Sequence, residues 1–346
     1  MAGAGTARIG HKYPGSGNRH PEADPAELPQ KAHRLFRLIK SGDLSRLATT
    51  LCGIDFENPV LAASGTYAYG IEFESVADLN AIGGIVVKGL SREPIRGNAP
   101  PRLWEATAGM INSVGLQNIG ARAFIMEKLP ALRRFRTRIL ANVFGYATED
   151  YGEVVRILED GDGLSAYELN VSCPNTKHGG MFFSNDPVLL AGLVSSVRPL
   201  TKRPLIVKLS PNVARIEPLA RAAEEAGADA ISLVNTFVSL AIDARTRKPR
   251  IGNGFGGLSG PAIKPIALRM VYEASKAVTI PVIGLGGIRS GIDAAEFMIA
   301  GASAVQVGTA SFWDPHAPQR VARELEEFVR TEKLANVSEL IGTLQL

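Results

Sequence analysis

Cys173 stands between Asn170 and Asn175, at the end of an apolar run and directly before Pro174. A free thiol has a pKa near ~8.5 and becomes a usable base when its thiolate is stabilised or well placed. Pro174 biases Cys173 away from helix, towards extended or turn backbone. Each flanking asparagine carries an amide that both donates and accepts, which suits the polar edges of a small substrate. A lone cysteine is most often a small buried hydrophobe, but a strand end among amides favours the base. Cys52, in TLCGIDFENPV, has no such surroundings and reads as packing.

Two lysines end similar runs, Lys88 in GIVVKG and Lys208 in PLIVKLS. Three uses compete for them: a Schiff-base amine, a clamp on an anionic substrate, or a cation beside a cofactor that gains negative charge. Gly286 and Gly287 in GLGGI, with Gly308 and Thr309 in VGT, let backbone N–H groups approach an anion such as phosphate. The plainer reading is that these glycines only turn the chain. Spacing alone does not choose among these uses.

The elements that must carry these residues alternate along the chain. Short β-branched runs at 59–64, 84–89, 138–145, 166–173, 204–210, 229–236, 281–287 and 303–309 are separated by helical patterns. Eight strands, seven intervening helices and a last helix near 316–333 predict an α/β fold, a (β/α)8 TIM barrel. The runs end in Ser64, Lys88, Asn142, Asn170, Lys208, Asn235, Gly286–Gly287 and Gly308–Thr309. In such barrels the C-terminal strand ends build the active site. Two longer connections, 91–117 and 237–259, carry turn signals such as RGNAPP and GNGFGG and are expected to wall that face.

The 346 residues and 45% hydrophobic content allow one large core. No apolar run reaches membrane-span length, and the N-terminus lacks a secretory pattern, so a cytoplasmic setting is expected. Two cysteines make no disulfide framework, and an iron–sulfur cluster needs about four thiolates, so the chain is read as holding no metal of its own. Of the net +4, all lies in residues 1–48, with eight basic and four acidic residues; the rest has 30 of each. A neutral body does not argue for a nucleic-acid face. The organisation read is therefore a basic, partly flexible tail, 1–48, and a barrel domain, 49–346. Within the tail, 31–47 reads as a surface helix or docking arm, with a membrane-surface helix as the alternative.

The motifs NVSCPNTKHGG, NSVGLQN, GGLSGPAIKPIALRMVYE, AIDARTRKP and GASAVQVGTA closely resemble dihydroorotate dehydrogenases, specifically the catalytic subunit of the heteromeric class 1B. The resemblance runs from about Leu51 to Leu346. It implies oxidation of (S)-dihydroorotate to orotate in pyrimidine biosynthesis. Cys173 would take the C5 proton and FMN N5 the C6 hydride. Lys88, Asn112, Ser113, Val114, Gly115, Leu116, Asn170, Asn175, Asn235 and Thr236 would hold the substrate. Ser64, Lys88, Gly89, Asn142, Asn170, Lys208, Val234, Gly260, Gly286, Gly287, Gly308 and Thr309 would hold FMN. The resemblance also implies a homodimer and a partner subunit whose FAD and [2Fe–2S] cluster pass electrons to NAD. Ile119, where the family usually has proline, and MFF at 181–183 depart from its pattern, as does the tail.

Three rivals stand beside this reading. A Schiff-base lyase or isomerase acting on a sugar phosphate explains a lysine and the phosphate loops, but leaves Cys173 idle. A flavin-dependent reductase or dehydrogenase of another pyrimidine, such as uracil in RNA, calls for a basic surface that the neutral body does not suggest. A scaffold binding FMN without turnover would leave Cys173 dispensable.

Overall fold

The computed structural model describes residues 44–172 and 183–346. Most of the expected tail, together with Cys173 and Asn175, lies outside the described residues. Leu44–Leu346 forms a compact unit. Its centre is a closed parallel barrel in which each strand neighbours the next in sequence. The strands are β1 Val60–Ala62, β2 Gly84–Val86, β3 Arg138–Val143, β4 Ala166–Asn170, β5 Leu205–Lys208, β6 Ala230–Leu233, β7 Val282–Leu285 and β8 Ala304–Val307. Closure comes from β8 on β1, with Val305 opposite Val60 and Val307 opposite Ala62. All eight fall inside the runs expected from sequence.

Alternation along each strand sorts side chains to the two faces. One parity meets the outer helices, for example Ile85, Ile139, Leu169, Val207 and Ile231. The other fills the barrel. Leu61, Val86, Leu140, Ala166, Ile206, Ala230, Ile283 and Ala304, one per strand, form an apolar layer closed below by Leu51 and Phe56. Those two come from the hairpin Thr49–Leu51/Ile54–Phe56. Two residues further along, six of the eight strands change character, because Lys88, Asn142, Glu168, Lys208, Ser232 and Gln306 occupy the next positions, while β1 and β7 continue with Ala63 and Leu285. An apolar floor thus carries a polar layer.

The outer helices are α1 Thr148–Glu159, α2 Pro187–Val197, α3 Glu217–Glu225, α4 Lys264–Ala277, α5 Gly291–Ile299 and α6 Ala317–Thr331. Before them, Ala121–Leu132 is helical with a π segment at Phe124–Lys128. The expectation of seven intervening helices needs correction: six connections carry one. Between β1 and β2 the described chain makes only the 3-10 turns Ile71–Phe73 and Leu79–Ala81, in a stretch broken by positive φ at Gly65, Ala68 and Gly70. The C-terminal helix covers the gap. α6 buries Val321, Leu325 and Val329 at four-residue spacing and packs on β1.

The two long connections pair with each other. Leu103–Ala106, Gly109–Asn112, Phe255–Ser259 and Phe237–Leu240 form a four-stranded antiparallel sheet over the C-terminal face. No helix among the described residues is long and apolar enough to cross a membrane.

Candidate active site

Glu168 is the hub of the polar layer. It sits inside β4 with its side chain fully buried. Its Oε1 accepts from Asn142 Nδ2 at 2.7 Å and lies 3.4 Å from Lys208 Nζ. Its Oε2 accepts from Ser232 Oγ at 2.8 Å and Gln306 Nε2 at 2.7 Å. Lys208 also donates to Ser64 Oγ at 3.3 Å, joining β5 to the end of β1. A buried carboxylate is tolerable only with a counter-ion and filled lone pairs, and these four strands supply both.

Sequence reasoning named Ser64, Asn142 and Lys208 but missed Glu168, Ser232 and Gln306. Each sits one residue or more before its strand's end, inside a run read as apolar. The available signal was period two. In AYELN, AISLV and AVQVG the polar residue falls two positions after a small interior alanine.

Above this layer, the described residues expected at the site come together. Asn235, just past β6, donates from Nδ2 to Asn170 Oδ1 at 3.3 Å. Its Oδ1 accepts from the Thr236 amide at 2.8 Å. Thr236 Oγ1 sits against Gly257, and the Gly257 carbonyl accepts from Asn112 Nδ2 at 3.3 Å. Ser113 Oγ accepts from Asn98 Nδ2 at 2.9 Å, and the Val114 carbonyl from the Asn98 amide at 3.0 Å. Gly115 and Leu116 follow with positive φ, and Leu116 reaches towards Gly89. Arg102 ties this loop down through the Asn98 carbonyl and, at 2.6 Å, Gln117 Oε1.

Lys88, next to Gly89, is half-buried, and among the described residues no carboxylate pairs with it. Burial pushes its pKa below the ordinary lysine value, and the Arg102 guanidinium pushes the same way. The result is a strand-end cation without a protein anion. Lys88 also lines a cleft of about 560 Å³ with Tyr69, Arg96, Gln117 and Ile119.

On the opposite rim, Val234 packs against the Gly286 backbone. A side chain on Gly287 would lie 2.8 Å from Lys264 Cβ and 2.9 Å from the Gly260 carbonyl, at a φ of 86°; only glycine fits. Thr309 Oγ1 donates to Ser259 Oγ at 2.8 Å, and Gly308 faces Ala63. The loop is braced from behind. Lys264 Nζ reaches Asp293 and Glu296 at 2.6 Å each, while Asp293 accepts from the Arg289 and Ser290 amides at the start of α5. Burial raises the Asp293 pKa, but Lys264 and these hydrogen bonds outweigh it and hold the carboxyl below its ordinary range.

Two departures acquire a physical account. The Ile119 amide donates to Tyr69 Oη at 3.0 Å, a bond that proline cannot make. Phe183, the last residue of MFF, is buried edge-on against Tyr151, whose hydroxyl donates to the Asn170 carbonyl at 2.8 Å. Cys52 is half-buried far from this end; its Sγ donates to the Asp229 carbonyl at 3.2 Å.

A family model described as dihydroorotate dehydrogenase matches residues 46–329. The chain belongs to the dihydroorotate dehydrogenase family. It is therefore an oxidoreductase, and dihydroorotate oxidation in pyrimidine synthesis is the reaction its family serves. A Solibacter usitatus protein, provisionally named dihydroorotate dehydrogenase A (fumarate), is 71% identical over 87% of this chain and 99% of its own. Proteins of Citrifermentans bemidjiense and Geobacter sulfurreducens, each named dihydroorotate dehydrogenase B (NAD(+)), catalytic subunit, are each 51% identical over 87% of this chain and 98% of their own. Family membership favours the redox use of the lysines over the Schiff-base use.

Proposed function

We propose that this chain oxidises (S)-dihydroorotate to orotate with FMN, and that electrons leave to NAD through a partner subunit carrying FAD and a [2Fe–2S] cluster. The observation that carries the cofactor reading is a pair of buried acceptors. Asn142 Oδ1 and Gln306 Oε1 are buried and have no partner within the described protein. They suit the ring N–H and ribityl hydroxyls of a flavin. Gly89 lies so close to Asn142 that any side chain there would come within 2.8 Å of Oδ1. Backbone at Gly286, Gly287, Gly308 and Thr309 would hold the phosphate.

Bound FMN supplies the two-electron acceptor for the hydride leaving C6. The protein's own residues do the rest. Cys173 removes the C5 proton, so one proton and one hydride leave as the C5–C6 double bond forms. Lys88, a cation with no protein counter-ion in the described structure, pairs with the substrate carboxylate. Asn112, Asn170, Asn175, Asn235 and Thr236 satisfy the amide edges of the ring, with the 113–116 backbone beside them. Lys208 keeps a positive charge next to the cofactor, and Ser64 and Glu168 hold it there.

The class 1B assignment, with a separate partner subunit, is supported by the names of the Citrifermentans and Geobacter relatives; the homodimer rests on the motif resemblance. A second reading has its own support: the name of the Solibacter relative points to fumarate as acceptor. An anaerobic spectrum of the purified chain tests the half-reaction. A flavin band that dihydroorotate bleaches supports it; no flavin after reconstitution with FMN removes it. Adding fumarate, or NAD with and without a candidate partner, then separates the acceptors. Reoxidation by fumarate in the chain alone overturns the NAD route.

A further inference from the structure

We propose that Glu168 is the positioning residue of the cofactor site, fixing the hydrogen-bond polarity that the bound flavin meets. The inference rests on the flavin reading above.

The geometry is specific on this point. An ionised carboxylate only accepts hydrogen bonds. Buried among Asn142, Lys208, Ser232 and Gln306, Glu168 therefore accepts from all four. Both amides are held by their nitrogens, so both must turn their oxygens away from it. Asn142 is 0% and Gln306 1% exposed, and their oxygens are two of the four buried side-chain oxygens that lack a partner among the described residues, the others being the hydroxyls of Thr137 and Ser311. An unpartnered buried acceptor is costly, so the arrangement is built for a donor that arrives with the ligand. A glutamine at position 168 would have to donate through its own NH2 group. Each carboxylate oxygen serves one of the two amides, so whichever position the NH2 group took, Asn142 or Gln306 would face a donor and have to accept. An amide turned round in this way would show the cofactor a donor where an acceptor had been. Lys208 would also lose its buried counter-ion, leaving net positive charge beside the flavin.

The test compares FMN with 3-methyl-FMN, whose N3 has no hydrogen to donate, on the full-length chain and on Glu168→Gln. The wild-type chain should bind FMN about tenfold more tightly than the methylated analogue, the loss expected for one unmade hydrogen bond. In Glu168→Gln that ratio should fall towards one, and the midpoint potential of bound FMN should rise because Lys208 is uncompensated. Glu168→Asp, which stays charged and accepts only, should restore most of the ratio. An unchanged ratio and potential in Glu168→Gln would overturn the proposal, as would loss of discrimination in Glu168→Asp equal to that in the glutamine variant. Should Glu168→Gln fail to fold, the wild-type comparison still decides, since equal affinity for the two flavins contradicts an acceptor facing N3. A wild-type chain that binds neither flavin overturns the cofactor reading itself, a result distinct from equal binding.

Discussion

Asn235 and Asn170 hold each other at the barrel mouth, Asn235 Nδ2 donating to Asn170 Oδ1 at 3.3 Å. They extend from β6 and β4, which are not neighbours in the barrel. The bond therefore bridges over the intervening β5 at the barrel mouth. Asn170 is further fixed through its backbone by Tyr151, and Asn235 by the Thr236 amide. In Asn235→Ala, Asn170 loses the partner that orients its amide, and the proposed substrate site loses a donor. We expect the KM for dihydroorotate to rise about tenfold with the flavin spectrum intact. Steady-state kinetics beside an absorption spectrum checks this; an unchanged KM removes Asn235 from the substrate site.

Lys208 and Glu168 form a buried pair with side chains 5% and 0% exposed. Lys208→Met leaves the carboxylate without its cation, a loss of roughly 3–5 kcal/mol for a buried pair. Denaturant unfolding should show it as a lower midpoint. Adding Glu168→Gln to that variant removes the stranded charge and should recover part of the loss. A double variant as unstable as the sum of the two singles would show that the pair does not couple.

How far the site was legible follows from where its residues lie. Strand-end residues such as Lys88, Asn170 and Lys208 stood out because an apolar run stops at them. Glu168 did not, because it lies inside its run; only the sheet's alternation, closed into a barrel, reveals that it shares an interior layer with Gln306, 138 positions away. The missing helix between β1 and β2 was equally hidden. α6 covers that gap, and nothing in the local pattern of 65–83 says that a segment 250 residues later does so. The two long connections were recognisable as walls of the mouth, but their pairing into one sheet depends on the register of Asn112 with Gly257.

Lys88 gives a pH signature. Its pKa is lowered by burial first and by Arg102 second. In the proposed role the charged form pairs with the substrate carboxylate, so binding should be complete below that pKa and lost as pH rises through it. The KM should therefore climb at a lower pH than an ordinary lysine would allow. Arg102→Met removes the neighbouring cation, raises the Lys88 pKa and should move the alkaline limb upward. Because Arg102 also ties down its loop, the position of the limb, not the height of KM, is the diagnostic. A limb that stays put in the variant rejects the electrostatic link.

The start of the folded body can be located by two truncations. Leu47 is fully buried, Arg46 donates to the Leu334 carbonyl at 3.0 Å, and the Ala48 carbonyl accepts from Asn336 at 3.1 Å. A chain starting at residue 49 loses all three contacts; one starting at 44 keeps them. Burying a leucine contributes about 1.5–3 kcal/mol, so the shorter chain should melt several degrees below the longer. Equal melting temperatures would place the boundary after Ala48.

The two cysteines should differ sharply in reactivity. Burial, with the Asp229 charge adding to it, pushes the Cys52 thiol up to about 11. At pH 8 roughly one molecule in a thousand would carry that thiolate, and the thiolate is the species that reacts. Cys173, if it is the base, must be reachable from the substrate side and able to give up its proton near neutral pH. Alkylation at pH 8 should therefore modify one thiol per chain, abolish reduction of the flavin by dihydroorotate and be slowed by orotate. The Cys52→Ala variant should label like the parent, and Cys173→Ala should neither label nor turn over while retaining flavin. Labelling that persists in Cys173→Ala, or that orotate fails to slow, would detach Cys173 from the chemistry and leave the proton to another group at the mouth.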